Sequence, residues 1–171
     1  MNYAKIKYCD VANGLGVRTS LFVSGCTHHC PGCFNQEAWD FHCGQEFTQE
    51  TITQLLDSCE PAYIKGLSLL GGEPMEPENQ RGLLPLVKQF KERFPQKDIW
   101  CYTGYTYERD LFRKDGCAHC EVTEELLQGI DILVDGRFEQ ENYDITLKFR
   151  GSSNQRVLQI HKPGCPELFP V

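Results

Sequence analysis

The stretch that decides the fold is Thr19-Ser20-Leu21-Phe22-Val23-Ser24-Gly25-Cys26-Thr27-His28-His29-Cys30-Pro31-Gly32-Cys33-Phe34. Its first five residues form a short apolar run that reads as a buried strand. Ser24-Gly25 ends the run, and a loop with three cysteines in eight residues follows at once. Working outward, the same grammar recurs. Residues 67–70 make a second buried strand ended by Gly71-Gly72, and residues 99–102 a third ended by Thr103-Gly104. Residues 132–134 make a fourth, followed by Asp135-Gly136, and residues 157–160 a last one.

Helical patterns separate these strands. Thr48 is placed to cap a helix with Ile52, Leu55, Leu56 and Cys59 on one face. Leu83, Val87, Phe90 and Phe94 form another stripe, and Pro85 predicts that this helix starts or kinks there. Thr123 is placed to cap a third helix, with Val122 and Leu127 as a hydrophobic staple. Residues 162–171 hold three prolines and read as irregular. Parallel strands need helical crossovers, so the alternation predicts a parallel α/β sheet whose apolar strands are covered on both faces or curl. In such folds the chemistry gathers at the carboxyl ends of the strands. The cysteine loop, Gly71-Gly72, Thr103-Gly104 and Asp135-Gly136 should therefore share one rim.

Length and composition set the frame. The chain of 171 residues is expected to form one domain spanning 1–171, large enough for a core without disulfide staples. Its 40% hydrophobic and 24% charged residues fit a soluble globular protein. With 17 Lys plus Arg against 24 Asp plus Glu, the formal net charge is -7, a poor basis for binding phosphate backbones. The basic residues within 88–93 read as a solvated helix face. No apolar run approaches the ~20 residues of a membrane span. Residues 1–10 lack the apolar segment of a secretory signal. The ten cysteines are thus expected as reduced thiols or metal ligands in the cytoplasm, ahead of five disulfides.

Cysteine thiolates at short loop spacings are the usual ligands of cubane iron–sulfur clusters. A four-iron cluster ordinarily takes four, and Cys26, Cys30 and Cys33 are three, the next being Cys43. One iron would be left open, as catalysis requires of a metal centre. The competing reading is a zinc site made of these cysteines with His28 or His29, although those histidines read better as exposed loop residues. Cys117-Ala118-His119-Cys120 forms a second pair. It is either half of a zinc site completed by Cys43, Cys101, His119 or Cys165, or two free thiols. Cys59 and Cys9 read as packing residues.

The C-x3-C-x2-C loop with its trailing aromatic resembles the signature of the radical S-adenosylmethionine superfamily, and Gly71-Gly72-Glu73-Pro74 resembles that superfamily's second motif. Further stretches narrow the resemblance. Residues 13–18 (Asn-Gly-Leu-Gly-Val-Arg) resemble the N-terminal segment of glycyl-radical-enzyme activases. Residues 97–100, 102–105, 131–138 and 149–156 are similar to the activases of anaerobic ribonucleoside-triphosphate reductase.

The resemblance implies an incomplete, open (β/α) barrel with mostly parallel strands. It implies a 4Fe-4S cluster on Cys26, Cys30 and Cys33, with S-adenosylmethionine on the open iron. The cluster would cleave that cofactor reductively, yielding a radical that takes hydrogen from a glycine of the reductase. Gly32, Cys33 and Phe34 would touch S-adenosylmethionine. Gly72 would let the backbone approach the methionine moiety, and Glu73 would hold its amino group. No side chain is implied as catalytic in its own right, since the cofactors carry the chemistry. A low-potential donor such as flavodoxin would supply the electron, and activity is expected only without oxygen. Asp135 is either a rim ligand or a turn carboxylate. Arg18 either steadies the substrate loop or covers the barrel mouth, while Ser152 and Asn154 read as structural or partner-facing. Two alternatives stand beside this reading. One is a short radical enzyme with another glycyl-radical partner or a small-molecule substrate, and the other is a non-enzymatic metal or electron-transfer protein.

Overall fold

A computed structural model describes residues 1–160 and 166–171. The elements are β1 (Asn2–Asp10), β2 (Val17–Val23), β3 (Gln45–Glu46), α1 (Gln49–Ser58), β4 (Ile64–Gly71), α2 (Pro77–Arg93), β5 (Asp98–Tyr102), α3 (Thr123–Gly129), β6 (Ile132–Asp135), β7 (Arg156–Ile160) and β8 (Pro166–Leu168). All eight strands lie in one sheet, ordered β3-β1-β2-β4-β5-β6-β7-β8. The four middle strands, β2, β4, β5 and β6, pair in parallel. Both flanks are antiparallel, so the parallel sheet expected from the strand–helix alternation is confined to the middle of the sheet. The reason lies in the connections. Only six residues join β1 to β2, and residues 136–155 hold no α-helix, so neither link can cross over the sheet. Among the described residues no ladder joins β3 to β8.

Strand parity sorts the two faces. Leu21, Val23, Leu67, Leu69, Ile99, Cys101 and Leu133 pack in one cluster with Ile52 and Leu55 of α1, Leu83 and Phe90 of α2, and Leu126 and Leu127 of α3. All three helices thus cover the same face. Right-handed crossovers between strands that advance steadily in one direction produce that result. The other face carries a smaller cluster of Trp100, Ile132, Val134 and Val157, backed by Tyr102, Phe149 and Phe169. Arg18 also lies there, fully buried. Its Nε donates to Ser68 Oγ at 2.8 Å, and its guanidinium pairs with Asp98 at 2.5 Å. Arg18 therefore closes the sheet's interior near the amino ends of β4 and β5, and does not reach the rim.

Local chemistry explains the helices. Thr48 caps α1 as expected, through a reciprocal pair: its hydroxyl accepts from Thr51 N, and Thr51 Oγ1 accepts from Thr48 N. α2 begins at Pro77, where a missing N–H costs nothing, and runs through Pro85. An interior proline costs about 3 kcal/mol. Pro85 faces solvent, and burial of Leu83, Leu84, Leu86, Val87 and Phe90 at roughly 1.5–3 kcal/mol each outweighs it. Val122, rather than Thr123, occupies the N-cap of α3. The Thr123 hydroxyl is instead spent on Cys120 N, from which it accepts at 2.8 Å, and on Gln80 Oε1, to which it donates at 2.6 Å. Residues 166–168 of the supposedly irregular tail form β8 against β7.

Candidate functional site

The cysteine loop leaves the carboxyl end of β2 under tight backbone control. Gly25 N donates to Ala38 O at 2.8 Å and Cys26 N to Trp39 O at 3.1 Å. From the end of β4, Gly72 N donates to Val23 O at 2.7 Å and Glu73 N to Gly25 O at 2.8 Å. This close seam is why position 72 is glycine. A Cβ there would stand 2.5 Å from Gly25 O and 2.8 Å from Ala38 O. Within the loop, His29 and Gly32 take positive φ values of 48° and 74°, folding the three cysteines back on one another.

Each sulfur meets N–H groups. The amides of His28 and His29 point at the Cys26 sulfur, Arg137 and the Phe138 amide at that of Cys30, and Asn35 N lies 3.4 Å from Cys33 Sγ. Such donors favour thiolates. Burial outweighs them in the free chain, pushing the Cys26 thiol up to about 12 and raising that of Cys30. A metal bound here must displace those protons, so its uptake is coupled to proton release.

Glu73 ties the rim together. It is 1% exposed, with Oε2 accepting from Gly104 N at 2.7 Å and lying 2.9 Å from His28 Nε2, and Oε1 accepting from Met75 N at 2.8 Å. His28 is thus largely enclosed, its ring also 4.4 Å from that of Tyr105, which corrects its reading as an exposed residue. His29 is exposed and stacks on Trp39 at 4.5 Å. Behind the loop, buried Glu76 accepts from Thr27 N at 2.8 Å and from the Thr27 hydroxyl at 2.6 Å.

A cavity of about 530 Å³ opens on the helix-free face at this rim. Cys26, Cys30, Cys33, Phe34, Gly72 and Glu73 all line it, together with Thr103, Gly104 and Gly136 from the ends of β5 and β6. Gly32 does not line it; a Cβ there would strike the Gln140 side chain. Phe34 is 81% exposed and makes tilted contacts with Phe138 at 6.0 Å and Tyr143 at 6.2 Å. Sequence reasoning missed several lining groups. Tyr102 Oη and Trp39 Nε1 are buried without a hydrogen-bond partner among the described residues. Phe138, Phe149 and Arg150 reach the cavity from residues 136–155. The period-2 alternation of β5 places Tyr102 on the face of Trp100, a signal that was available.

Other candidates lie apart from the cavity. Asp135 is 1% exposed, accepts from Tyr107 N at 2.8 Å and from Arg156 Nε at 2.9 Å, and so is a structural carboxylate. Ser152 Oγ accepts from Glu139 N at 3.2 Å and Asn154 Nδ2 donates to Arg137 O at 2.8 Å, both holding residues 136–155. Cys59 is fully buried at the end of α1, as expected, whereas Cys9 is exposed with φ 52°, contrary to its reading as a packing residue. Cys117 Sγ points to Asp110 at 3.5 Å, Cys120 Sγ to Gln80 at 3.4 Å, and His119 Nδ1 lies 2.7 Å from Leu111 O. Cys165 lies outside the described residues.

Among the described residues, no three His, Cys, Asp or Glu side chains are placed to hold a metal ion. A zinc ion draws four donors to about 2.0–2.3 Å from one point. A cubane spreads its thiolates over different irons, so three cysteines around an apolar-walled cavity fit the cluster better than the ion. No helix among the described residues is long and apolar enough to cross a membrane.

Residues 12–158 match the 4Fe-4S single cluster domain family, which defines the class of the chain. The chain is 45% identical over 159 residues to an anaerobic ribonucleoside-triphosphate reductase-activating protein of Vibrio cholerae, covering 92% of this chain and 97% of that protein. The protein of the same description in Enterobacteria phage T4 is 41% identical over 157 residues (92% and 93%), and that of Escherichia coli K12 is 41% identical over 159 (92% and 97%). The chain belongs to the anaerobic ribonucleoside-triphosphate reductase-activating protein family.

Proposed function

We propose that this chain activates anaerobic ribonucleoside-triphosphate reductase as a radical S-adenosylmethionine enzyme, with the cluster on Cys26, Cys30 and Cys33. The observation that carries the reading is the convergence of those three sulfurs with Gly72 and Glu73 on one cavity at the ends of β2 and β4. When bound, the cluster supplies the electron that cleaves S-adenosylmethionine reductively, so that a glycine of the partner can be converted to its radical.

The chain's own residues bind, orient and exclude water. A carboxylate offers about four acceptor sites. Glu73 fills three with Met75 N, Gly104 N and His28, and the site left on Oε1 suits an ammonium. The unpartnered Tyr102 hydroxyl and Trp39 N–H offer further polar contacts on the cavity wall. Phe34 and Cys33 line the cavity, and exposed Phe34 stands where the cofactor would meet the partner's loop; Gly32 shapes the loop beside them without lining the cavity. Gly72 brings its backbone to the cavity wall through the Gly25 seam. We take the sheet as the arc of an incomplete barrel, since its strands advance in one direction with helices on one side. We likewise take residues 1–171 as one domain, the cytoplasm as its compartment and a low-potential protein such as flavodoxin as its electron donor.

Anaerobic reconstitution tests the reading. The loaded chain should form 5′-deoxyadenosine under a strong reductant and raise a glycyl-radical signal by electron paramagnetic resonance when mixed with the reductase. An iron-loaded chain that never yields 5′-deoxyadenosine would sink the enzyme assignment. Cleavage without a radical on this reductase would redirect it to another partner.

A further inference from the structure

The charges around the cysteine loop are unevenly placed. On the Cys26 side stand two buried carboxylates, Glu73 at 1% and Glu76 at 6% exposure. On the Cys30 side stands the cation Arg137, which sits just past the end of β6. Arg137 is held at both ends. Its guanidinium donates to His28 O at 2.8 Å, and its own carbonyl accepts from Asn154 Nδ2 at 2.8 Å. Gly136 on its other side is fixed by Gln155 Nε2, which donates to Gly136 O at 2.9 Å. The same guanidinium and the next amide, that of Phe138, lie near enough to the Cys30 sulfur to favour its thiolate.

We propose that Arg137 is a positioning residue that sets the reduction potential of the cluster from the Cys30 side while clamping the cysteine loop to residues 136–155. The inference rests on the reading that Cys26, Cys30 and Cys33 ligate the cluster. The physics is direct. Reduction adds one negative charge to the cluster. A nearby cation, and a hydrogen bond to a ligating sulfur, both favour the more negative state and raise the potential. Buried anions on the Cys26 side act in the opposite sense. Arg137 itself is exposed, so its removal strips little packing from the core.

The test is a redox titration of the reconstituted whole chain, followed by electron paramagnetic resonance, with iron and sulfide measured on each sample. Arg137→Gln should move the midpoint to more negative values. The reduced-to-oxidised ratio at a fixed poise should fall about tenfold, or about 59 mV for one electron. Arg137→Lys should recover most of that loss. Glu76→Gln, which keeps an acceptor for Thr27, should move the midpoint the other way. Where Arg137→Gln fails to load iron, Arg137→Met keeps the stem and answers the same question. Fully loaded Arg137 variants with the wild-type midpoint, or a shift of the same sign in Glu76→Gln, would overturn the proposal. A wild-type chain that takes up no four-iron cluster would overturn the underlying reading first, and is distinguished by its iron content.

Discussion

Two segments of this chain carry a C-x2-C pair beside a histidine, and only one of them lines the cavity. Residues 26–34 leave the carboxyl end of a central parallel strand, with backbone N–H groups from three places turned toward the sulfurs. Residues 117–120 follow the helical stretch Tyr107–Phe112 and precede α3, among the elements that cover the other face. There the sulfurs are taken by Asp110 and Gln80 and the histidine by a backbone carbonyl. Spacing alone does not distinguish the two. What separates them is where the strand ends and which donors the surrounding backbone leaves free.

The sharpest way to break this contrast is to exchange the cysteines. Cys30→Ser should bring iron content and radical formation to background, whereas Cys120→Ser should leave both at wild-type levels. Iron loss in the second variant would merge the two regions into one site. The carboxylates that brace each segment come next. Glu73→Ala strands the amides of Met75 and Gly104, and at roughly 1–3 kcal/mol for each buried unmet donor it should cost about 2–6 kcal/mol in denaturant unfolding. Gly72→Ala drives a methyl against two carbonyls and should cost about 1–3 kcal/mol, with the cysteine loop more open to thiol reagents.

The smallest effect belongs to Asp110, which braces the second segment. The Arg109 guanidinium, ahead of hydrogen bonds from Thr106 N and Cys117, holds its carboxyl at about 2. The unfolded value is near 3.9. A depressed folded value stabilises above the unfolded one, so the contribution is whole above about pH 4 and vanishes as pH falls through about 2. Arg109 is exposed, so solvent screens the pair. Asp110→Asn should slightly flatten the acid limb of stability against pH, and an unchanged limb would show that the pair contributes nothing.

The middle of the fold was legible because its strands are buried on both faces and end in small residues. The cap at Thr48 was legible because a threonine stands directly before an apolar stripe. Pro85 did not mark the start of α2, because its cost reads locally while the burial that outweighs it comes from the sheet. β3 and β8, of two and three residues, are too short to leave a periodic trace. The gathering of Cys26, Cys30, Cys33, Gly72 and Glu73 followed from their places after two adjacent strands. The role of His28 did not, since its partner is 45 residues away. Arg18 was misplaced for a similar reason. Ser68 and Asp98, which hold it at the closed end, lie far along the chain.

One feature of the cysteine loop reaches back to the birth of the protein on the ribosome. Its three sulfurs fall within eight residues and are made before β4 and β5, whose ends complete the cavity. Gly72, Glu73 and Gly104 arrive only later in translation. Synthesis of the three sulfurs and completion of the pocket around them are therefore separated in time, and the seam at Gly72 is the latch that joins them.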